Sequence, residues 1–137
     1  MISRAKLVLS ALAALIVCFG LGYAWGASGR LTIQGALDDM RQQLDLAEAR
    51  GHILDGRVSL YNMNFGDASG RFEDSKVPLR RVKKRYQDAG RNDAASGIDA
   101  ALGLVDEAQR LAGKLDQSAN AKAGEALEAL KVATSKS

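Results

Sequence analysis

The residues of this chain that could carry out acid–base chemistry are carboxylate pairs and one histidine. The carboxylates of each pair are adjacent in sequence: Asp38/Asp39, Glu73/Asp74 and Asp106/Glu107. Neighbours on a helix point about 100° apart, so such a pair does not share a proton. His52 is the single histidine, which excludes a histidine-rich metal centre. We therefore expect no enzyme activity, no metal and no cofactor.

The cysteine count and the charge balance exclude further classes of function. Cys18 is the single cysteine, so the chain has no internal disulfide framework and no multi-cysteine zinc site. The chain has 19 basic and 16 acidic residues, a net charge of +3. Arg4 and Lys6 precede a long apolar run, so residues 30–137 contain 19 − 2 = 17 basic and 16 acidic residues. Such a balance does not favour nucleic-acid binding, and we expect no nucleic-acid partner.

The densest cluster of charge has five bases in six positions. It consists of Arg80, Arg81, Lys83, Lys84 and Arg85. One interpretation is a patch for an anionic partner, such as lipid headgroups, a polyanionic glycan or an acidic protein. The other is a solvated helical face, because acidic residues precede these bases and that order complements a helix dipole. We favour the second interpretation and keep the first open.

Residues 7–29 contain no charged side chain and predict a transmembrane helix. The most apolar part, Leu7 to Trp25, would be about 28 Å long as a helix, close to the hydrocarbon thickness of a bilayer. Tyr23 and Trp25 stand at one end, where aromatic rings prefer the headgroup layer. These features predict a single-pass membrane anchor.

The basic residues Arg4 and Lys6 set the expected topology. Under the positive-inside rule, residues 1–6 lie in the cytoplasm and residues 30–134 form an extracytoplasmic helical domain. Residues 135–137 are expected to be a frayed tail. The Ala-, Gly- and Arg-rich composition indicates a bacterium, so we expect the inner membrane and a periplasmic domain.

Two alternatives to a retained anchor stay open. A cleavable signal peptide would end at Gly22-Tyr23-Ala24, before Trp25, although the uncharged run is long for one. A lipoprotein would be acylated at Cys18, since Leu15-Ile16-Val17-Cys18 resembles a lipobox. Val17 departs from that pattern, which expects a small residue. We favour the anchor, with Cys18 as a small apolar residue of its helix.

Small residues recur every four positions along the predicted anchor. They are Ser10, Ala14, Cys18, Gly22 and Gly26. Positions four apart share one side of a helix, and small residues there allow two backbones to approach closely in lipid. This stripe predicts self-association or pairing with another membrane helix.

A seven-residue apolar repeat follows and continues for about 57 residues. Its members alternate spacings of four and three: Ile33, Leu37, Met40, Leu44, Ala47, Gly51, Leu54, Val58, Tyr61, Phe65, Ala68, Phe72, Ser75, Leu79, Val82, Tyr86 and Ala89. No strand has this period, which is typical of the packing face of a coiled coil or helical bundle. Within it we expect an interaction seam of Leu54, Val58, Tyr61 and Phe65.

Several residues mark where helices end. Residues 62–67, with two Asn and a Gly, predict a turn, although the sequence also allows a continuous helix there. Pro78 predicts a kink, Gly90 a C-cap, and Asn92 or Asp93 the next N-cap. Residues 116–120 predict a short break between the last two helices. The apolar positions beyond Gly90 predict helical faces: Ile98, Ala101, Leu102, Val105, Ala108, Ala112 and Leu115, then Ala123, Ala126, Leu127 and Leu130.

Leu60 and Tyr61, followed by Phe65, Ala68 and Phe72, have the large–small–large spacing of the second helix in a tetratricopeptide unit. This stretch resembles that family locally, and the chain contains no convincing second copy. The resemblance implies an antiparallel helical hairpin.

Together these patterns predict an all-α protein: an N-terminal transmembrane helix, then an antiparallel hairpin or small bundle with heptad-like packing. The expected function is a membrane-anchored scaffold or interaction module. Its partners would be the membrane and either a copy of itself or another membrane or periplasmic protein. A ligand-binding, sensor-like bundle and a transport-system accessory subunit are the alternatives.

Overall fold

The computed structural model describes the backbone of residues 4–135; the side chains of residues 4, 5, 7, 24, 25 and 27–32 are outside its description. Within residues 4–135 the chain forms four helices and no strand. They are α1 (Arg4–Tyr61), α2 (Phe65–Asp88), α3 (Asn92–Gly113) and α4 (Ala119–Ser135). The predicted all-α class is confirmed for this part of the chain. Helix α1 continues through the Gly/Ser-rich residues 26–29.

The chain divides into two units, Met1–Met40 and Arg41–Ser137. The second unit is an up-down-up-down bundle formed by the last turns of α1 together with α2, α3 and α4. Helices α2 and α3, and likewise α3 and α4, pack as antiparallel pairs. The ring closes between α4 and α1, where Arg57 donates to Asn120 at 2.7 Å and Arg50 donates to Thr134 at 3.1 Å. The predicted helical bundle is therefore confirmed.

The heptad repeat of α2 forms the centre of the bundle core, as predicted. Its buried members are Phe65, Ala68, Phe72, Ser75, Leu79, Val82 and Tyr86. Helix α2 is unbroken at Pro78, which is itself buried. The buried faces of α3 and α4 include most of the predicted positions. Leu115 is an exception: it follows the end of α3 and is exposed.

The repeat on α1 differs from that on α2, because the bundle core does not include it. All of its members from Ile33 to Tyr61 are exposed. The face of α1 that joins the core is instead Leu46, Ala49, Ile53, Gly56 and Leu60. This second stripe packs in the core because Gly56 lets the Phe72 ring lie against the α1 backbone. An added Cβ at Gly56 would stand 2.6 Å from Phe72 Cε1. Helix α1 therefore has two apolar faces, and the bundle covers one.

All three turns of the bundle have Schellman hydrogen bonds. Asn64 N–H donates to Ser59 O, Arg91 N–H to Tyr86 O, and Asp116 N–H to Leu111 O. The residues with positive φ are Met63, Gly90 and Leu115.

Outcomes at the helix ends are mixed. The turn after α1 and the glycine cap after α2 were both predicted. Asn64 caps α2, accepting from Asp67 N–H at 3.3 Å. The prediction of Asn92 or Asp93 as the N-cap of α3 is wrong, because Arg91 occupies that position without a side-chain cap.

The unit Met1–Met40 is helical from Arg4 onward. Among residues with described side chains, no helix is long and apolar enough to cross a membrane. The predicted span 7–29 includes Leu7, Ala24, Trp25 and residues 27–29, whose side chains lie outside the description. The anchor is accordingly still a prediction, as is the role assigned to Trp25. Residues 1–3 and 136–137 are also outside the described backbone.

Candidate functional site

The candidate site is the uncovered apolar face of α1 within the bundle unit. We define the α1 seam as Leu44, Ala47, Gly51, Leu54, Val58 and Tyr61, all of which are exposed. Helical spacing aligns them on one side of α1, away from the core-facing residues. Leu54 is 49% exposed and Tyr61 is 82% exposed, although both are large and apolar. Contiguous apolar surface of this kind marks an interaction site more often than an isolated exposed leucine does.

The structure separates the four residues predicted as an interaction seam. Leu54, Val58 and Tyr61 belong to the α1 seam, whereas Phe65 is only 9% exposed in the core. Phe65 begins α2 after the turn, so its heptad position no longer refers to the axis of α1. The local tetratricopeptide-like spacing also crosses this turn and so does not lie on one helix.

Charged residues border the α1 seam on both sides. Arg50 and Arg57 lie on the side of α4 and bond its residues Thr134 and Asn120. Glu48 and Asp55 lie on the other flank, and Glu48 accepts from Arg81 of α2 at 3.0 Å. Asp55 is exposed, and no ion pair within the described chain includes it.

The basic run on α2 is largely paired with carboxylates of the same chain. Asp45 on α1 is buried and accepts from Arg81 at 2.8 Å and from Arg85 at 2.5 Å. Lys83 pairs with Asp99 of α3, and Lys84 pairs with Asp88 at 2.9 Å. Arg80 is exposed. These pairs join α2 to its neighbours and support the structural interpretation; a role for Arg80, Arg81, Lys83, Lys84 and Arg85 in binding an anionic partner stays a prediction.

A buried lysine between α2 and α3 was missed by the sequence analysis. Lys76 is 6% exposed, and its Nζ lies 2.8 Å from Glu73 and 2.5 Å from Asp106. It also donates to Gln109. The i,i+3 spacing of Glu73 and Lys76 is visible in the sequence, but the partners on α3, Asp106 and Gln109, lie 30 and 33 residues further along the chain and gave no signal.

This cluster shifts the titration of two of its groups. Burial opposes the charge on Lys76, but the hydrogen bonds that its ammonium group donates to Asp106 and Glu73 outweigh it and raise the lysine pKa above its usual value. The hydrogen bond from Lys76 is the main cause that lowers the pKa of Glu73, and Gln109 adds to it. Both shifts favour the charged pair.

The other candidate chemical groups are dispersed. His52 Nε2 lies 3.9 Å from Glu48 Oε1, and its buried Nδ1 has no hydrogen-bond partner in the described chain. Arg110 pairs with Glu107, while Asp106 turns to Lys76. Among the described residues no group of His, Cys, Asp and Glu could hold a metal ion.

The small-residue stripe of the predicted anchor is exposed at every position: Ser10, Ala14, Cys18, Gly22 and Gly26. At Gly22 and Gly26 an added Cβ would meet nothing within 4 Å. The structure therefore leaves this side of α1 uncovered by other described residues of the chain.

Comparison with protein-family models, curated proteins and solved structures gives no match for this chain.

Proposed function

We propose that this protein is a membrane-anchored helical interaction module, with residues 7–29 as the anchor and the bundle presenting the α1 seam to a protein partner. The observation that carries the proposal is the exposure of the α1 seam along residues 44–61, the part of α1 whose opposite face is buried in the bundle. Leu54 and Val58 have no role in the bundle core, yet they continue a heptad repeat. A partner helix on this face would account for both facts.

The apolar surface of residues 8–23 supports the membrane anchor. The large apolar residues there are between 57% and 79% exposed: Val8, Leu9, Leu12, Leu15, Ile16, Val17, Phe19, Leu21 and Tyr23. Leu12 and Leu21 point to opposite sides of the helix, so the surface is not a single stripe. Exposure of apolar area to water costs about 25 cal/mol per Å², and acyl chains would remove that cost.

The proposed topology follows from the charges that flank the anchor. Arg4 and Lys6 precede it, which favours a cytoplasmic N-terminus and an extracytoplasmic bundle. In a bacterium the bundle would lie in the periplasm, anchored to the inner membrane.

The state of the charged groups supports an interaction role over catalysis. Asp45 and Lys76 are the buried charged residues of the bundle, and both are held in contacts between helices. Their partners on α2 and α3 fix helix positions, as structural ion pairs do.

The experiment combines membrane fractionation with a C-terminal reporter that is active only outside the cytoplasm. The full chain should resist extraction from membranes by alkali, keep its full mass and give an active reporter. The Leu12→Arg/Leu15→Arg variant should lose membrane retention, because two charges in the hydrocarbon core are costly. Leu12→Ala/Leu15→Ala is the matched control and should be retained. A soluble wild-type chain, or one cut before Trp25, would contradict the proposal.

A further inference from the structure

We propose that the partner of the α1 seam is a second copy of this chain, and that two α1 helices pair there as a parallel, in-register coiled coil. The direction of pairing agrees with the proposed function, on which this inference rests, because two anchors in one membrane enter it from the same side.

The seam has the register of a coiled coil. Leu44, Gly51 and Val58 take position a, and Ala47, Leu54 and Tyr61 take position d. In a parallel, in-register pair each of these residues meets its own copy. Layers of leucine, valine and tyrosine are then well matched in size. The small layers at Ala47 and Gly51 allow close approach, and an added Cβ at Gly51 meets nothing within 4 Å.

The flanking charges favour this parallel arrangement. In a parallel coiled coil, position g of one helix lies beside position e five residues later on the other. Arg50 at g would therefore face Asp55 of the second copy, on both sides of the seam. Asp55 is exposed and has no ion pair within the described chain, so it is available for this contact.

The antiparallel alternative places like charges together. Full antiparallel overlap of the seam sets Leu44 against Tyr61 of the other copy. In that register Arg50 faces Arg57 of the other copy on one side of the seam, and Glu48 faces Asp55 on the other side. Like charges across the e and g positions disfavour a pairing, so charge selects the parallel dimer.

The test is chemical cross-linking of the full chain in native membranes with a short bis-maleimide. All variants carry Cys18→Ser so that the introduced cysteine is the only one. We expect Val58→Cys and Leu54→Cys to give covalent dimers. Asp74→Cys, exposed on α2, is the matched control and should stay monomeric. In an antiparallel pair Val58 would lie opposite Ala47 of the other copy, so Val58→Cys alone would give no dimer and a mixture of Val58→Cys and Ala47→Cys chains would; that result would overturn the parallel pairing. Leu54 lies near its own copy in either orientation, so Leu54→Cys reports only that the seam is the interface.

Exchange of the charges at positions 50 and 55 provides a second test of the parallel dimer. Asp55→Arg sets Arg50 against an arginine and should lower the Val58→Cys cross-linking yield about fivefold. Arg50→Asp combined with Asp55→Arg restores opposite charges and should recover most of the yield. Circular dichroism confirms that each variant is folded.

The two proposals fail separately. Membrane-retained, folded chains that give no dimer at either Val58→Cys or Leu54→Cys would overturn the homodimer and leave the anchored module standing. Chains that dimerise through Val58→Cys but fractionate as soluble would overturn the anchor alone. Cross-linking that is equal at Val58→Cys and Asp74→Cys reflects collision and would also overturn the homodimer.

Discussion

Ile53 and Leu54 are adjacent on α1 and face opposite ways: Ile53 is completely buried, whereas Leu54 is 49% exposed. Ile53 belongs to the stripe that packs in the bundle, and Leu54 belongs to the α1 seam. One face of α1 therefore packs in the bundle core, and the opposite face is exposed for contact with a partner.

Truncation of these two neighbours should have very different effects on stability. Ile53→Ala removes fully buried methyl groups and should lower the free energy of unfolding by about 2–5 kcal/mol. Leu54→Ala should change it by less than about 1 kcal/mol in the monomer. The measurement is urea unfolding of the full chain in mild detergent, at a dilution where it is monomeric, followed by circular dichroism. Equal losses for both variants would show that the seam is part of the core.

Two glycines of α1 should respond oppositely to alanine. A Cβ at Gly56 would lie 2.6 Å from Phe72 Cε1, so Gly56→Ala should destabilise the bundle by about 1–3 kcal/mol. Gly51 has open space around it, so Gly51→Ala should stabilise the helix by about 0.5–1 kcal/mol. The same unfolding experiment compares them, and a destabilised Gly51→Ala would contradict the exposed position of the seam.

The Lys76 cluster predicts a particular pH dependence. The pKa of Glu73 is lowered on folding, so its contribution is present above the unfolded pKa and is lost as the pH falls through the folded pKa. The pKa of Lys76 is raised, so its contribution is present below the unfolded pKa and is lost as the pH rises through the folded pKa. The contribution of these two groups to the free energy of unfolding should therefore be constant between about pH 5 and pH 10.

Substitutions in the Lys76 cluster test whether it causes this pH dependence. Lys76→Met should leave stability at neutral pH within about 1 kcal/mol, because Glu73 and Asp106 are exposed enough to be solvated. It should also reduce the losses at both pH extremes. Glu73→Gln/Asp106→Asn leaves a buried ammonium group without an anion and should cost about 2 kcal/mol or more. An unchanged pH profile in Lys76→Met would show that other groups determine it.

Two residues with positive φ at helix ends, Leu115 and Gly90, predict opposite effects of substitution on stability. Leu115 has φ 58 and is exposed, so Leu115→Gly should relieve left-handed strain and stabilise the bundle by about 1 kcal/mol. Gly90 has φ 71, and Gly90→Ala should destabilise it by a similar amount. Thermal unfolding of the two variants should show shifts of opposite sign, and shifts of the same sign would contradict these backbone conformations.

The sequence predicted some elements well for a clear physical reason. On α2 the heptad stripe is the only apolar face, so Phe72, Leu79 and Val82 could be placed in the core directly. The end of α2 at Gly90 could be predicted because glycine readily adopts the positive φ that helix C-caps require.

Helix α1 was ambiguous because it has two stripes with the same period, and periodicity alone does not say which one the chain covers. That choice depends on the fit between Gly56 and Phe72, a contact between helices. The Lys76 cluster and the pairing of Asp45 with Arg81 and Arg85 are likewise products of tertiary packing. Local sequence contains no comparable signal for them.

The α1 seam is tested most directly by photo-cross-linking in living cells with a photoreactive amino acid at Leu54 and, as control, at Asp74. A second copy bound at the seam predicts a discrete adduct from Leu54, at twice the mass of the chain, and none from Asp74. Folded, membrane-retained protein that gives no adduct at Leu54, or the same adducts at both positions, would contradict the claim that this face of α1 is where the protein binds.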